Sequence, residues 1–88
     1  MYSLVVKPKA DKLFKKMGKK NRITLEIIRK KINEIIKNPK AYKPLRAPLQ
    51  YLRRVHIQKS FVLLFSIDEE KKVVIIHNYK HHDDAYKK

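Results

Sequence analysis

The chain is predicted to be a single α+β domain, a helical hairpin laid on one sheet, and three features of its 88 residues carry that expectation. A short β-branched run opens the chain, two stretches of helical period follow, and three strand-like runs come after a proline-punctuated loop. Residues 1–88 are expected to make one domain, because a chain of this length allows no more. With no cysteine, neither a disulfide nor a thiolate metal site contributes to stability.

Tyr2 to Lys7 reads as the first strand: Leu4, Val5 and Val6 favour extended backbone, and Pro8 ends it. Pro8 also suits a first helical turn. A short helix is therefore expected over Lys9 to Met17, with Ala10, Leu13, Phe14 and Met17 on one stripe and Gly18 as its cap. A longer helix is expected from about Asn21 to Lys37. Leu25, Ile28, Ile32, Ile35 and Ile36 recur at helical spacing, and Asn38-Pro39 stops the run.

Residues 39–50 hold Pro39, Pro44 and Pro48 among the apolar anchors Tyr42, Leu45 and Leu49, and read as an ordered loop. Tyr51 to Ile57, Phe61 to Ile67 and Val73 to Tyr79 then form a three-stranded antiparallel meander, with hairpin-length connections between them. Arg54 and His56 alternate with Val55 and Ile57, so basic groups project from one face and aliphatic groups from the other. Phe61-Val62-Leu63-Leu64-Phe65 is apolar on both faces and is expected to be central.

The formal net charge is +15, and its distribution says more than its size. Residues 35–67 contain no acid, yet carry Lys37, Lys40, Lys43, Arg46, Arg53, Arg54 and Lys59. Such a segment concentrates positive potential where a polyanion can release its counterions, so an anionic macromolecule is the expected partner. A single glycine excludes a glycine-rich phosphate loop. Ser3, Ser60 and Ser66 sit in no nucleophile motif, and Asp68-Glu69-Glu70 reads as a solvated turn. No apolar run approaches the ~20 residues of a membrane span, and Met1 to Pro8 lacks the pattern of a signal peptide. The expectation is a cytoplasmic protein with no membrane contact.

Proton-handling residue types gather in the run His77-Asn78-Tyr79-Lys80-His81-His82-Asp83-Asp84-Ala85-Tyr86. A histidine of near-neutral pKa beside a basic surface suits RNA cleavage, and a solvated side chain is the plain alternative. A metal site is not expected, because neighbours on extended chain point to opposite sides and no paired helical spacing occurs. Tyr86 is either a plug at the sheet edge or a hydroxyl and stacking face for a base.

Together these residues resemble the RelE/ParE toxins of toxin–antitoxin pairs, over essentially the whole chain. Lys43-Pro44-Leu45, Tyr51-Leu52-Arg53-Arg54-Val55-His56-Ile57, Phe61 to Asp68 and the terminal His81-His82-Asp83-Asp84-Ala85-Tyr86 carry the resemblance. It is nearest to the RelE and YoeB branch. The resemblance implies a RelE-like fold and a ribosome-dependent mRNA endoribonuclease that inhibits translation without metal or cofactor. It also implies a RelB-like antitoxin partner in a toxin–antitoxin hetero-oligomer. Carried over residue by residue, His82 or its neighbour His81 would shuttle a proton, and Tyr86 would stack on a base or assist. Arg54, Arg53 and Lys59 would hold phosphate with support from His56, and Lys43, Arg46 and Lys80 would bind RNA. One departure stands out: where the family usually has an aromatic followed by Arg, this chain reads Phe61-Val62. Losing one preorganised charge at a transferring phosphate costs roughly 3 kcal/mol of transition-state stabilisation. The rival reading is a non-catalytic toxin-family protein gripping a target such as DNA gyrase, or a basic nucleic-acid-binding module.

Overall fold

The computed structural model describes residues 1–81. Its elements are β1 (Ser3–Val6), α1 (Pro8–Lys20), α2 (Arg22–Lys37), a 3-10 turn (Pro39–Ala41), β2 (Arg53–Ile57), β3 (Phe61–Asp68) and β4 (Val73–His81). They form one four-stranded sheet in the order β1-β4-β3-β2 with the helical hairpin on one face. The meander β2–β3–β4 is antiparallel as expected, but β1 runs parallel to β4, from Ser3 opposite Val73 to Val6 opposite Ile76. The sheet is therefore mixed rather than purely antiparallel. The two helices supply the long connection that carries the chain back across the sheet.

Gly18 does not cap α1, which runs on to Lys20. Asn21 makes the corner instead. Its backbone N–H donates to the Met17 carbonyl (2.7 Å), and its side-chain oxygen accepts from the Thr24 N–H (3.3 Å), ending one helix and starting the next. Ala10, Ile28, Ile32 and Ile35 of the hairpin then pack on Val55, Ile57, Leu63, Phe65, Val74, Ile76 and Tyr79 of the sheet. This is the main core.

A second, smaller core lies on the opposite face, where Leu45 and Leu52 of the loop cover Val62 and Leu64 of β3. The loop reaches that face by wrapping the free edge of β2. Tyr42 still packs on the helix side, its ring edge-on to Phe65 at 5.7 Å. Pro44 then bridges to Arg53, the Arg54 N–H donates to the Lys43 carbonyl, and the Leu45 N–H donates to the Leu52 carbonyl at 2.9 Å. The start of the β2 edge is thereby paired with the loop. The arrangement also explains why β3 is apolar on both faces: each face has a core above it.

The β3–β4 register slips between Leu64 and Phe65. Leu64 faces Asn78 while Phe65 faces Ile76, which leaves His77 as the extra residue. A bulge of this kind lets two successive residues escape strict alternation. Here it sends Tyr79 into the main core beside Leu63, although Val74 and Ile76 already lie on that side.

Candidate nucleic-acid interface

Strand register defines the face turned away from the helices. Arg54 lies opposite Leu64, which lies opposite Asn78; His56 lies opposite Val62, which lies opposite Lys80. Both rows have a β2 base at one end and an apolar β3 residue in the middle. The middle is not available to a ligand, because Val62 is fully buried and Leu64 nearly so beneath the loop. The face expected to be a continuous basic surface is thus an apolar floor with basic margins.

On the β2 margin, Lys43 and Arg46 from the loop and Arg54 from the strand line one groove of about 480 Å³. Pro44, Pro48 and Leu49 give it apolar walls. Three cationic side chains around one concavity favour an anion, and planar guanidinium groups match phosphate geometry in particular. None of the residues that line the groove is acidic, and four acids of the described residues pair elsewhere, Asp11 with Lys15, Glu26 with Arg29, Glu34 with Lys31, and Glu69 with Lys40 and Lys72. Glu69 also accepts from the Tyr2 hydroxyl at 2.9 Å, a bond that together with both lysines holds its carboxyl below the usual range.

Three of the expected site residues fall elsewhere. Arg53 points to the helix side, where its guanidinium donates to the Tyr42 carbonyl and clamps the start of the loop. It cannot share a phosphate with Arg54, because neighbouring strand residues face opposite ways. His81 pairs with Phe61 and sets its ring edge-on to that ring at 5.5 Å, beside the stacked Phe61–Tyr79 pair. It therefore belongs to the row of Tyr79 and Leu63, opposite the face of Arg54 and Lys80. Lys59 sits in the exposed β2–β3 turn, at the end of the sheet away from the groove. His82 and Tyr86 lie outside the described residues.

A polar constellation that sequence reasoning missed occupies the β4 margin. His77 Nε2 lies 2.7 Å from Ser66 Oγ, a hydrogen bond across the bulge. The Tyr51 ring stands edge-on to the His77 ring with centroids 6.3 Å apart. Burial lowers the His77 pKa from its ordinary value and nearby Lys7 lowers it further, so the imidazole is neutral near pH 7. A strict period of two puts His77 beside Tyr79 and away from Lys80. Alternation from Val74 and Ile76 already puts His77 on the face of Ser66; the bulge, which leaves no mark in the sequence, turns Tyr79 away from that face and brings Lys80 onto it.

Among the described residues, no helix is long and apolar enough to cross a membrane. Residues 4–86 match the family model described as the ParE toxin of the type II toxin–antitoxin system, parDE. A Methanocaldococcus jannaschii protein named "Putative toxin RelE4" is 48% identical over 88 residues, covering 100% of this chain and 94% of its own. The fold is similar to the YoeB/ParE toxin from Agrobacterium tumefaciens, with a TM-score of 0.82 at 13% identity over 91% of this chain and 98% of that one. It is also similar to a chain of the RelBE2 toxin–antitoxin complex from Mycobacterium tuberculosis, with a TM-score of 0.73 at 23% identity over 92% and 98%. With helices, meander and β1 in the arrangement of these folds and a family match over nearly its whole length, the chain belongs to the ParE toxin family of type II toxin–antitoxin systems.

Proposed function

We propose that this toxin-family chain is a metal-independent endoribonuclease that cuts mRNA on the ribosome and so halts translation. The observation that carries the reading is the gathering of Lys43, Arg46 and Arg54 around one groove beside the sheet face, on a chain of net charge +15. The name of the Methanocaldococcus jannaschii relative supports the RelE side of the family. In the reaction the ribose 2′-oxygen attacks the adjacent phosphorus and the bond to the 5′-oxygen breaks, leaving a cyclic phosphate and a free 5′-hydroxyl. Arg54 neutralises the phosphate as charge builds, and Lys43 and Arg46 hold the flanking backbone. His56 and Lys80 lie along the same face and extend the contact. His82 moves the proton and Tyr86 assists it or stacks on a base. Val62 lies in the position where the family usually places an Arg, so Arg54 carries the charge that this position lacks.

Such a chain works in the cytoplasm and needs a keeper. A RelB-like antitoxin is the partner this reading requires, in a toxin–antitoxin hetero-oligomer; the solved RelBE2 relative is such a complex. An acidic or amphipathic helix would bury apolar surface and neutralise the groove together.

Replacing both His82 and Tyr86 should abolish mRNA cleavage in cells while leaving the protein folded. Undiminished cleavage by that double variant would remove the assigned chemistry. The second reading is a non-catalytic toxin that grips a protein target such as DNA gyrase. Two observations favour it: the matching family model is that of ParE, and Val62 is an apolar floor rather than a phosphate ligand. Growth arrest with intact mRNA is the outcome that selects it.

A further inference from the structure

We propose that Tyr51, His77 and Ser66 form a shelf on which one unpaired nucleobase stacks, a subsite distinct from the Lys43–Arg46–Arg54 groove; the inference rests on the RNA reading above. Tyr51 is 61% exposed, a large aromatic residue that the main core does not use. Its neighbours hold it still. Leu52 is buried in the second core and bonded to the loop on both sides, through Leu49 and Leu45, and Arg53 is clamped to the Tyr42 carbonyl. Among the described residues the Tyr51 hydroxyl has no hydrogen-bond partner. An exposed ring on a fixed backbone costs little entropy to use, which is what a stacking platform needs.

The edge of the shelf is polar. His77 stands at 75° to the Tyr51 ring, so that the imidazole forms an end wall instead of covering the ring's face. Neutral near pH 7 and joined to Ser66, it offers donor and acceptor groups that suit a base edge better than a phosphate. Lys7, close enough to lower the His77 pKa, supplies positive charge for the phosphate of the stacked nucleotide. Arg54 lies two strands away across β3, roughly 10 Å at ordinary strand spacing, and a short extended stretch of RNA spans that distance. An apolar protein segment is the other occupant that an exposed tyrosine admits. The cationic and hydrogen-bonding rim favours a base.

The probe is a 2′-O-methyl RNA hexamer carrying one 2-aminopurine, which the chain can bind but not cleave. Wild-type protein should bind it and quench the 2-aminopurine. Tyr51→Phe should behave as wild type. Tyr51→Ala should weaken binding about 5- to 150-fold, lose the quenching, and keep the same dependence on salt, because a stacking face carries no charge. Arg46→Ala should do the reverse: a shallower salt dependence with quenching retained. Tyr51→Ala that binds and quenches like wild type overturns the shelf alone. Tyr51→Ala that binds RNA normally but no longer holds a protein antitoxin assigns the surface to that partner and also overturns the shelf. A wild-type chain that does not bind the hexamer overturns the RNA reading, and the shelf falls with it.

Discussion

The two faces of this sheet are made from the same strands, yet they are covered in opposite ways. On the helix side, side chains from all of β2, β3 and β4 are sealed under Ile28, Ile32, Ile35 and Ala10. On the other side the cover is a single loop, whose Leu45 and Leu52 lie over Val62 and Leu64. The margins of that second face hold Arg54, His56 and Lys80, with Tyr51 and His77 standing over β4. Stability is concentrated where the helices pack, and reactive residue types are left where the cover is thin. A face sealed by helices has no room for a polyanion; a face sealed by one wrapped loop leaves His56 exposed and Arg54 and Lys80 half-exposed along its margins.

The largest expected effect tests that inequality in stability. Phe65→Ala empties the main core and should cost about 3–5 kcal/mol, enough to threaten folding of a domain this small. Leu64→Ala on the other face should cost nearer 2 kcal/mol, since a shallow cluster under a loop collapses more easily. Equal losses in denaturant unfolding would show that the loop-covered face is as much a core as the helical one.

Val62→Arg comes next. Introducing the residue type that the resemblance led one to expect there places a cation under Leu45 and Leu52, at a cost of roughly 2–4 kcal/mol unless the loop lifts. Hydrogen exchange should report it as lost protection at the Leu45 and Leu52 amides, which are bonded within the loop. A variant that stays protected and cleaves RNA faster would mean that the position is a ligand site which this chain has merely left vacant.

The neighbours Arg53 and Arg54 divide stability from binding. Arg53→Ala should cost about 1–2 kcal/mol of stability by releasing the Tyr42 carbonyl, with little change in RNA affinity. Arg54→Ala should weaken RNA binding and reduce its salt slope by about 1. The opposite assignment would mean that the two side chains exchange faces in solution.

The smallest effect is a pH dependence. His77 titrates below its ordinary 6.5, so the folded chain binds fewer protons there than the unfolded one. Its contribution to stability is complete above about pH 6.5 and is lost as pH falls through 6.5 toward the lowered value. His77→Gln should flatten unfolding midpoints across that acid window. An unchanged slope would place His77 in a solvated setting with no hold from Ser66.

Most of the fold was legible because it is written in periodicity. The helical stripe of Ile28, Ile32 and Ile35 and the alternation of Arg54, Val55, His56 and Ile57 leave few choices of element or face. The double-sided apolar run in β3 announced a buried strand, but nothing in it identified the loop as the second cover. Tyr42 and Leu45 both read as anchors, and only the wrap around β2 puts them on opposite faces. Parallel pairing of β1 is likewise invisible, since Leu4, Val5 and Val6 fit either direction. The candidate groove was legible as charge and not as geometry. Lys43, Arg46 and Arg54 converge as their common sign implied, whereas Arg53 and His81 were lost to strand alternation. Tyr51, Ser66 and His77 meet from three separate stretches of chain, so no local pattern marks them as neighbours.

The most direct test of the thinly covered face is transcriptome-wide mapping of mRNA 5′ ends after expression of the wild-type chain and of Arg54→Ala. An RNA-cleaving face predicts codon-phased new ends with the wild type and their loss, in a folded protein, with Arg54→Ala. Growth arrest with no new ends in the wild type would contradict it.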